Sequence, residues 1–276
     1  MERSSVELLE RARSGDDAAL EALLDRHQAQ IYRFGMRMCR DPEDAKDVLQ
    51  ETLLAMARGV REFRGASSVS TWLYTIARSF CVKKRRKSKF APDAESSIEG
   101  DLAAKGHDLV DPASTADEVL AGKEVERALE QAIAQLAPPY REVLILRDVE
   151  GLTAPEVAEV LGVSVDAVKS RLHRARLSVR SAVAPLLGVP AERAEAGCPD
   201  IADQFSRYLE GEIDAEVCAT MQRHVDSCQR CSRVCGSLKE TLGLCHRAAD
   251  SVTLPAGVQD SVKKALRQVL ASARTT

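Results

Sequence analysis

Residues 151–176 read GLTAPEVAEVLGVSVDAVKSRLHRAR. Thr153 is placed to cap a helix whose first turn holds Pro155 and Glu156. Val157, Ala158 and Leu161 share one face of that helix, Gly162 supplies a tight turn, and Ser164 caps a second helix. In the second helix Ala167, Val168 and Leu172 turn inward. Lys169, Arg171, His173, Arg174 and Arg176 lie near or on the outer side. Small inward residues let two short helices cross closely. The pattern predicts a helix-turn-helix with a cationic second helix, the shape that enters a DNA major groove. A helical hairpin inside a bundle is the structural alternative, but it has no need of so basic a second helix.

Charge elsewhere in the chain supports contact with a polyanion. The net charge of −3 over 276 residues hides blocks. Arg58 to Lys89 holds ten Lys/Arg against Glu62 alone, Ala91 to Glu126 holds ten Asp/Glu against two Lys, and Ser164 to Arg180 holds five Lys/Arg against Asp166. Two basic blocks separated by an acidic one are what two separate polyanion contacts require. With 45% apolar and 29% charged residues the chain is globular rather than disordered. No stretch approaches about 18 uncharged apolar residues, and the charged N-terminus lacks a signal-peptide core. A cytoplasmic protein with reduced thiols and no membrane partner is expected.

Outward from residues 151–176 the sequence reads as all-α. Ala18, Leu20, Leu23, Leu24, His27, Ile31 and Phe34 keep a helical period. Asp41-Pro42 starts a helix with Ala45, Val48, Leu49, Thr52, Leu53 and Met56 on one face. After a break at 65–70, Thr71-Trp72 opens a helix that runs into the basic residues 83–87. Residues 91–120, acidic with Gly and Pro, read as a flexible linker. Helices resume near Asp117 and pass a break at Pro138-Pro139. The tail places Val258, Val262, Leu266, Val269 and Leu270 on one side of an amphipathic helix.

Two further stretches carry chemistry. FRGASSVSTWLYTIARSF (63–80) puts small polar residues before a helix with aromatic and basic groups, a surface able to pocket an unstacked base and grip adjacent phosphates. Taken alone, Trp72 and Tyr74 read more readily as core. Six of the eight cysteines lie between Cys198 and Cys245. His224 and Cys228 sit one helical turn apart, Cys228 and Cys231 form a C-x2-C pair, and Cys198 comes from an earlier helix. Together they make a tetrahedral set of one nitrogen and three sulfurs, which suits Zn²⁺ or Cd²⁺; additional thiolates would also hold Cu(I). Cys218, Cys235, Cys245 and His246 are further candidate ligands, against a reading of the three thiols as apolar filler. Cys39 and Cys81 fall in apolar helical positions and read as core.

The residues at 63–80, with DAKDVLQETLLAM (44–56) and LAPPYREVLILRDVEGLT (136–153) leading into the helix-turn-helix, resemble the extracytoplasmic-function (ECF, group 4) sigma factors. The resemblance covers about residues 6–88 and 120–185. It implies no catalysis, and it implies binding to core RNA polymerase and promoter DNA. It implies sigma region 2 at 1–90, a linker at 91–120, and region 4 at 121–188. Core polymerase would be held by Asp44, Asp47, Val48, Gln50 and Glu51. The −10 element would be read by Arg64, Ser67, Ser68, Trp72, Tyr74, Arg78, Lys83, Lys84 and Arg85. The −35 element would be read by Ser164, Lys169, Ser170, Arg171, His173, Arg174 and Arg176. The stretch from Cys198 to Cys231 resembles the zinc-binding anti-sigma fold, here expected at 196–250 with a tail helix at 254–276. The surplus thiols resemble those of CorE-type sigma factors, whose cysteine-rich C-terminal domain senses Cu, Cd or Zn; a separate anti-sigma factor is then not strictly required. Two other readings stay open: redox control through Cys228 and Cys231 with a structural zinc site, and, in a different class, a thiol oxidoreductase or metal-buffer protein.

Overall fold

Helices begin where the sequence supplies caps. The computed structural model describes residues 2–63, 65, 67–89, 116–189, 198–248 and 252–273. Among these residues every regular element is helical. The chain divides into two units. One is formed by residues 1–106, 159–161 and 251–276, the other by residues 107–158 and 162–250.

In the first unit, α1 (Glu2–Arg13) and α2 (Asp17–Cys39) are followed by α3 (Pro42–Gly59) and α4 (Val69–Lys89). The Asp16 carboxylate accepts the Ala19 N–H at 3.0 Å, and the Asp41 carboxylate accepts the Asp44 N–H at 2.8 Å, with Pro42 in the first turn. The expected face of α3, from Ala45 to Met56, is buried throughout. On α2 the register differs at its start: Ala19 is buried and Ala18 is exposed. Gly35 lets α2 and α3 approach closely, because a Cβ there would meet the Ala45 backbone at 3.2 Å. Leu23, Ile31, Phe34, Leu49, Leu53, Met56 and Leu73 fill the core, each worth about 1.5–3 kcal/mol of apolar burial. A further helix, α12 (Ala256–Ala273), packs against α2 and α3. It buries Val258 and Val262, and Lys263 Nζ lies 3.2 Å from an Asp25 carboxylate oxygen. The side chains of Leu266, Val269 and Leu270 lie outside the described residues.

In the second unit, α5 (Ala116–Gln135) starts inside the stretch expected to be linker; the rest of that stretch, 91–115, lies outside the described residues. It leads to α6 (Pro138–Leu144), a π-helical turn (Ile145–Val149), α7 (Ala154–Leu161) and α8 (Val165–Val183). The buried Arg141 guanidinium donates to the Ile133, Ala134 and Leu136 carbonyls, closing the C-terminal end of α5. Thr153 and Glu156 cap α7 reciprocally: the Glu156 carboxylate accepts the Thr153 N–H at 2.8 Å and the Thr153 hydroxyl accepts the Glu156 N–H at 3.4 Å. Gly162 takes a left-handed φ of +65°, and the Ser164 hydroxyl accepts the Ala167 N–H at 3.2 Å. The helix-turn-helix therefore forms from the residues that predict it.

Three more helices complete this unit: α9 (Ile201–Leu209), α10 (Ala215–Ser227) and α11 (Gln229–Arg247). Ile201, Phe205, Met221, Cys231, Cys235 and Leu238 form their shared core. Both α9 and α11 also pack against α8.

Candidate metal centre and the contacts of the recognition helix

Cys228 sits at the junction of α10 and α11, ending one helix and preceding the next. That junction brings His224, one turn back, and Cys231, one turn on, to the same side. Cys198 arrives on the segment entering α9. The ligand atoms of Cys198, His224, Cys228 and Cys231 all lie within 4.8 Å of one another. Cys198 Sγ and Cys228 Sγ are 4.0 Å apart, and His224 Nε2 and Cys231 Sγ are 3.2 Å apart. A tetrahedral Zn²⁺ with its usual bond lengths needs ligand separations of about 3.6–3.8 Å. The donor set and its spacing fit zinc.

The thiols differ in acidity. The Cys231 N–H at the start of α11 holds the Cys228 thiol below the usual value, with further help from Cys231 and Cys198. Burial pushes Cys231 up to about 12, and the neighbouring Cys198 and Cys228 add to the rise. Three thiolates cannot share this space without a cation, and a divalent ion removes that obstacle.

The further candidate ligands are placed elsewhere. Cys235 is buried in the module core, and Cys218 packs against that core. Cys245 is buried and His246 is exposed. None of the four joins the cluster among the described residues. Cys235 behaves as a small apolar residue, its thiol raised by burial.

The second helix of the helix-turn-helix, α8, presents a face formed by Lys169, His173 and Arg176, spaced i, i+4, i+7. The sequence predicts these side chains near or on the outer side. Instead His173 is 4% exposed and Arg176 is 3% exposed. Arg176 donates Nε to Asp148 Oδ2 at 2.8 Å and Nη2 to Asp148 Oδ1 at 2.6 Å, and it also reaches Glu210 Oε1 at 2.8 Å. Burial opposes its charge, but Asp148 and Glu210 outweigh that and raise its pKa. His173 Nδ1 meets the Ser206 hydroxyl at 2.8 Å, and its Nε2 meets the Glu212 carboxylate. Glu212 also lies 3.9 Å from Lys169 Nζ, and Glu210 takes Arg147 Nε at 3.2 Å. Arg180, further along, donates to the Ser237 hydroxyl of α11 at 2.8 Å. The other side of α8 stays open: Ser164, Ser170 and Arg174 are exposed and Arg171 is half-buried.

The remaining expected contacts divide by register. Asp47 and Glu51 are exposed on α3, with Asp44 and Gln50 half-buried, whereas Val48 is fully buried in the bundle core and presents nothing to a partner. Lys84 donates to Asp44 at 2.8 Å and to Asp47 at 2.5 Å, and this raises its pKa. Tyr74 is also core, packed edge-on against Phe34 with centroids 5.3 Å apart. Trp72 is half-buried, stacked on Phe63 at 4.5 Å and set against Gly59. Ser67, Ser68, Arg78 and Arg85 are half-buried and Lys83 is exposed; Arg64 lies outside the described residues.

A helix-turn-helix unit carrying a thiol-rich three-helix module, joined in sequence to a unit of α1–α4 and α12, defines the class of protein. Comparisons with known families resolve it further. Residues 23–90 match Sigma-70 region 2, residues 126–179 match Sigma-70 region 4, and residues 198–232 match a zinc-finger family. The RNA polymerase sigma-H factor of Pseudomonas aeruginosa is 32% identical over 185 residues, 66% of this chain and 94% of that protein. The ECF RNA polymerase sigma factor SigM of Mycobacterium tuberculosis is 34% identical over 175 residues, 63% of this chain and 82% of that protein. A solved structure of CnrH in complex with the cytosolic domain of CnrY aligns with a TM-score of 0.45 at 24% identity, over 64% of this chain and 96% of that one. The chain belongs to the ECF family of RNA polymerase sigma factors, with a zinc-finger region added at its C-terminal side. No helix among the described residues is long and apolar enough to cross a membrane.

Sequence reasoning missed the partners of α8. Asp148, Ser206, Glu210 and Glu212 are the residues that engage Lys169, His173 and Arg176. The signal available was the acidic run LEGEIDAE at 209–216, next to a helix that is itself cationic.

Proposed function

We propose that this chain is an ECF sigma factor that initiates promoter-specific transcription with core RNA polymerase and is restrained by its own C-terminal module. The observation that carries this reading is the pairing of His173 and Lys169 with Glu212, and of Arg176 with Glu210. The Glu212 carboxylate occupies the face of α8 from which Lys169 and His173 would otherwise meet DNA phosphates. Arg176 keeps Asp148 when the module leaves, so it serves as an internal clamp of region 4. Reading of the −35 element falls to Ser164, Lys169, Ser170, Arg171, His173 and Arg174. In region 2, the −10 element falls to Ser67, Ser68, Trp72, Arg78, Lys83 and Arg85, and core polymerase to Asp44, Asp47, Gln50 and Glu51.

Zinc held by Cys198, His224, Cys228 and Cys231 supplies the cross-link between the entry to α9 and the α10–α11 junction. That link sets the position of Glu210 and Glu212, which follow α9 directly. The folded, metal-loaded module is the restraining state, and loss of the ion frees α8. This sign differs from metal-activated control of the CorE type. Run-off transcription with core polymerase across a Zn²⁺ titration of chelated protein separates the two. Repression by zinc that Cys228→Ser abolishes supports the restraint, and activation by zinc overturns it.

A further inference from the structure

We propose that Cys39 and Cys81, in the first unit, form a redox-modification site: a dithiol that a hydroperoxide converts to a reversible disulfide joining α2 to α4. This pair is separate from the four candidate metal ligands and plays no part in the restraint described above. Their Sγ atoms lie 3.5 Å apart, in hydrogen-bond contact, across 42 residues of sequence. A disulfide needs about 2.05 Å, so the sulfurs must close by only about 1.5 Å. Cys39 ends α2 and is half-buried, which gives an oxidant access; Cys81 is buried at 2% exposure behind it.

The surroundings favour the thiolate on the accessible side. The hydrogen bond with Cys81 holds the Cys39 thiol below its usual range, against burial and the Asp44 carboxylate, with help from Lys84 and Arg85. Cys39 thiolate attacks the terminal peroxide oxygen, the O–O bond breaks, and the other oxygen leaves as hydroxide or alkoxide, protonated to water or alcohol. The product is a sulfenic acid on Cys39. Cys81 sulfur attacks that sulfur and gives up its proton as the S–O bond breaks and water leaves. Two thiols lose two electrons in total, and the peroxide gains them. A thiol reductant returns both cysteines to thiols.

The bond closes a loop around all of α3 and pins the end of α2 to the middle of α4. It adds a constraint to a bundle that is already packed, so the fold is kept and its melting temperature rises. The experiment uses the full-length, zinc-loaded chain treated with one equivalent of hydrogen peroxide, then alkylated, digested and mapped by mass spectrometry. The expected result is a Cys39–Cys81 peptide pair two hydrogens lighter than the separate peptides and split by dithiothreitol. A rise in melting temperature on the order of 5 °C should accompany it. Cys39→Ser should lose both signals. Cys81→Ala gives a second variant that lacks the resolving thiol and should accumulate Cys39 sulfenic or sulfinic acid instead. The proposal is overturned if both thiols stay alkylatable, if wild-type Cys39 over-oxidises while Cys81 stays reduced, or if either cysteine pairs with a C-terminal one.

Discussion

Two basic helices of this chain meet acidic partners in opposite ways. On α4, Lys84 bridges Asp44 and Asp47 from a neighbouring helix, with the lysine 31% exposed and Asp47 61% exposed. On α8, Arg176, Asp148 and Glu210 all have side chains 7% exposed or less. Water and salt screen the first set, so it holds α3 and α4 loosely and can be exchanged for a partner. The second set is desolvated, so removing one member leaves the others buried with fewer partners. A polyanion can compete for the cations of α4 as they stand. On the covered face of α8, Lys169 and His173 are engaged by Glu212, and under the proposed function they meet DNA only when the module moves away. The difference teaches that the ion pairs of α4 are solvated and those of Arg176 on α8 are desolvated; under the proposed function only the covered face of α8, not its open side, is conditional on the module.

The strongest way to break this contrast is to remove the metal. Structural zinc in small domains contributes about 10–16 kcal/mol of folding free energy in the best cases. Chelation, or Cys228→Ser, should therefore unfold α9–α11. Circular dichroism should show helix lost from that region while α1–α4 keep theirs. Next in size is Asp148→Ala, which leaves the buried Arg176 with Glu210 and long contacts to Ser206 and should cost about 3–5 kcal/mol in urea unfolding. By contrast Lys84→Ala should cost less than about 1 kcal/mol in the same assay, because its pairs are solvated. A cost for Lys84→Ala equal to that for Asp148→Ala would erase the distinction between the helices.

The smallest effect is a pH dependence in the first unit. Burial lowers the pKa of His27 below its ordinary 6.5, so the fold favours the neutral ring. The unfolded chain binds more protons than the folded one below pH 6.5, and stability falls as the pH is lowered through that value. His27→Gln should flatten that part of the melting-temperature profile between about pH 7 and 5.

Much of this was legible in the sequence because it is local. Asp41-Pro42, Thr153 with Glu156, Gly162 and Ser164 set helix ends through bonds spanning three or four residues, so each is visible in a short window. The same holds for His224, Cys228 and Cys231, which one helix junction brings together. Cys198, 26 residues before His224, is legible only as the thiol that completes their set, because its approach depends on the path of α9. What was hidden depends on tertiary contacts. Period alone places Val48 on a helix face but does not say whether core or partner covers it, whereas Tyr74, read as core from its own stretch, is core and only the resemblance gave it a DNA contact. The pairing of His173 with Ser206 and Glu212 spans 33 and 39 residues, and no local pattern encodes it. Cys235 and Cys245 look like ligands by type; both are buried, Cys235 in the apolar core of the module, and that is a property of the packed fold.

The central claim is that the zinc-held module covers the recognition helix, and His173 reports on it directly. Histidine footprinting with diethylpyrocarbonate, mapped by mass spectrometry, compares His173 with the exposed His246 and the buried His27 in one sample. With zinc bound, His173 should resist modification as His27 does; after chelation, or in Cys228→Ser, it should react at a rate approaching that of His246. Equal reactivity of His173 and His246 in the zinc-loaded chain would contradict the account.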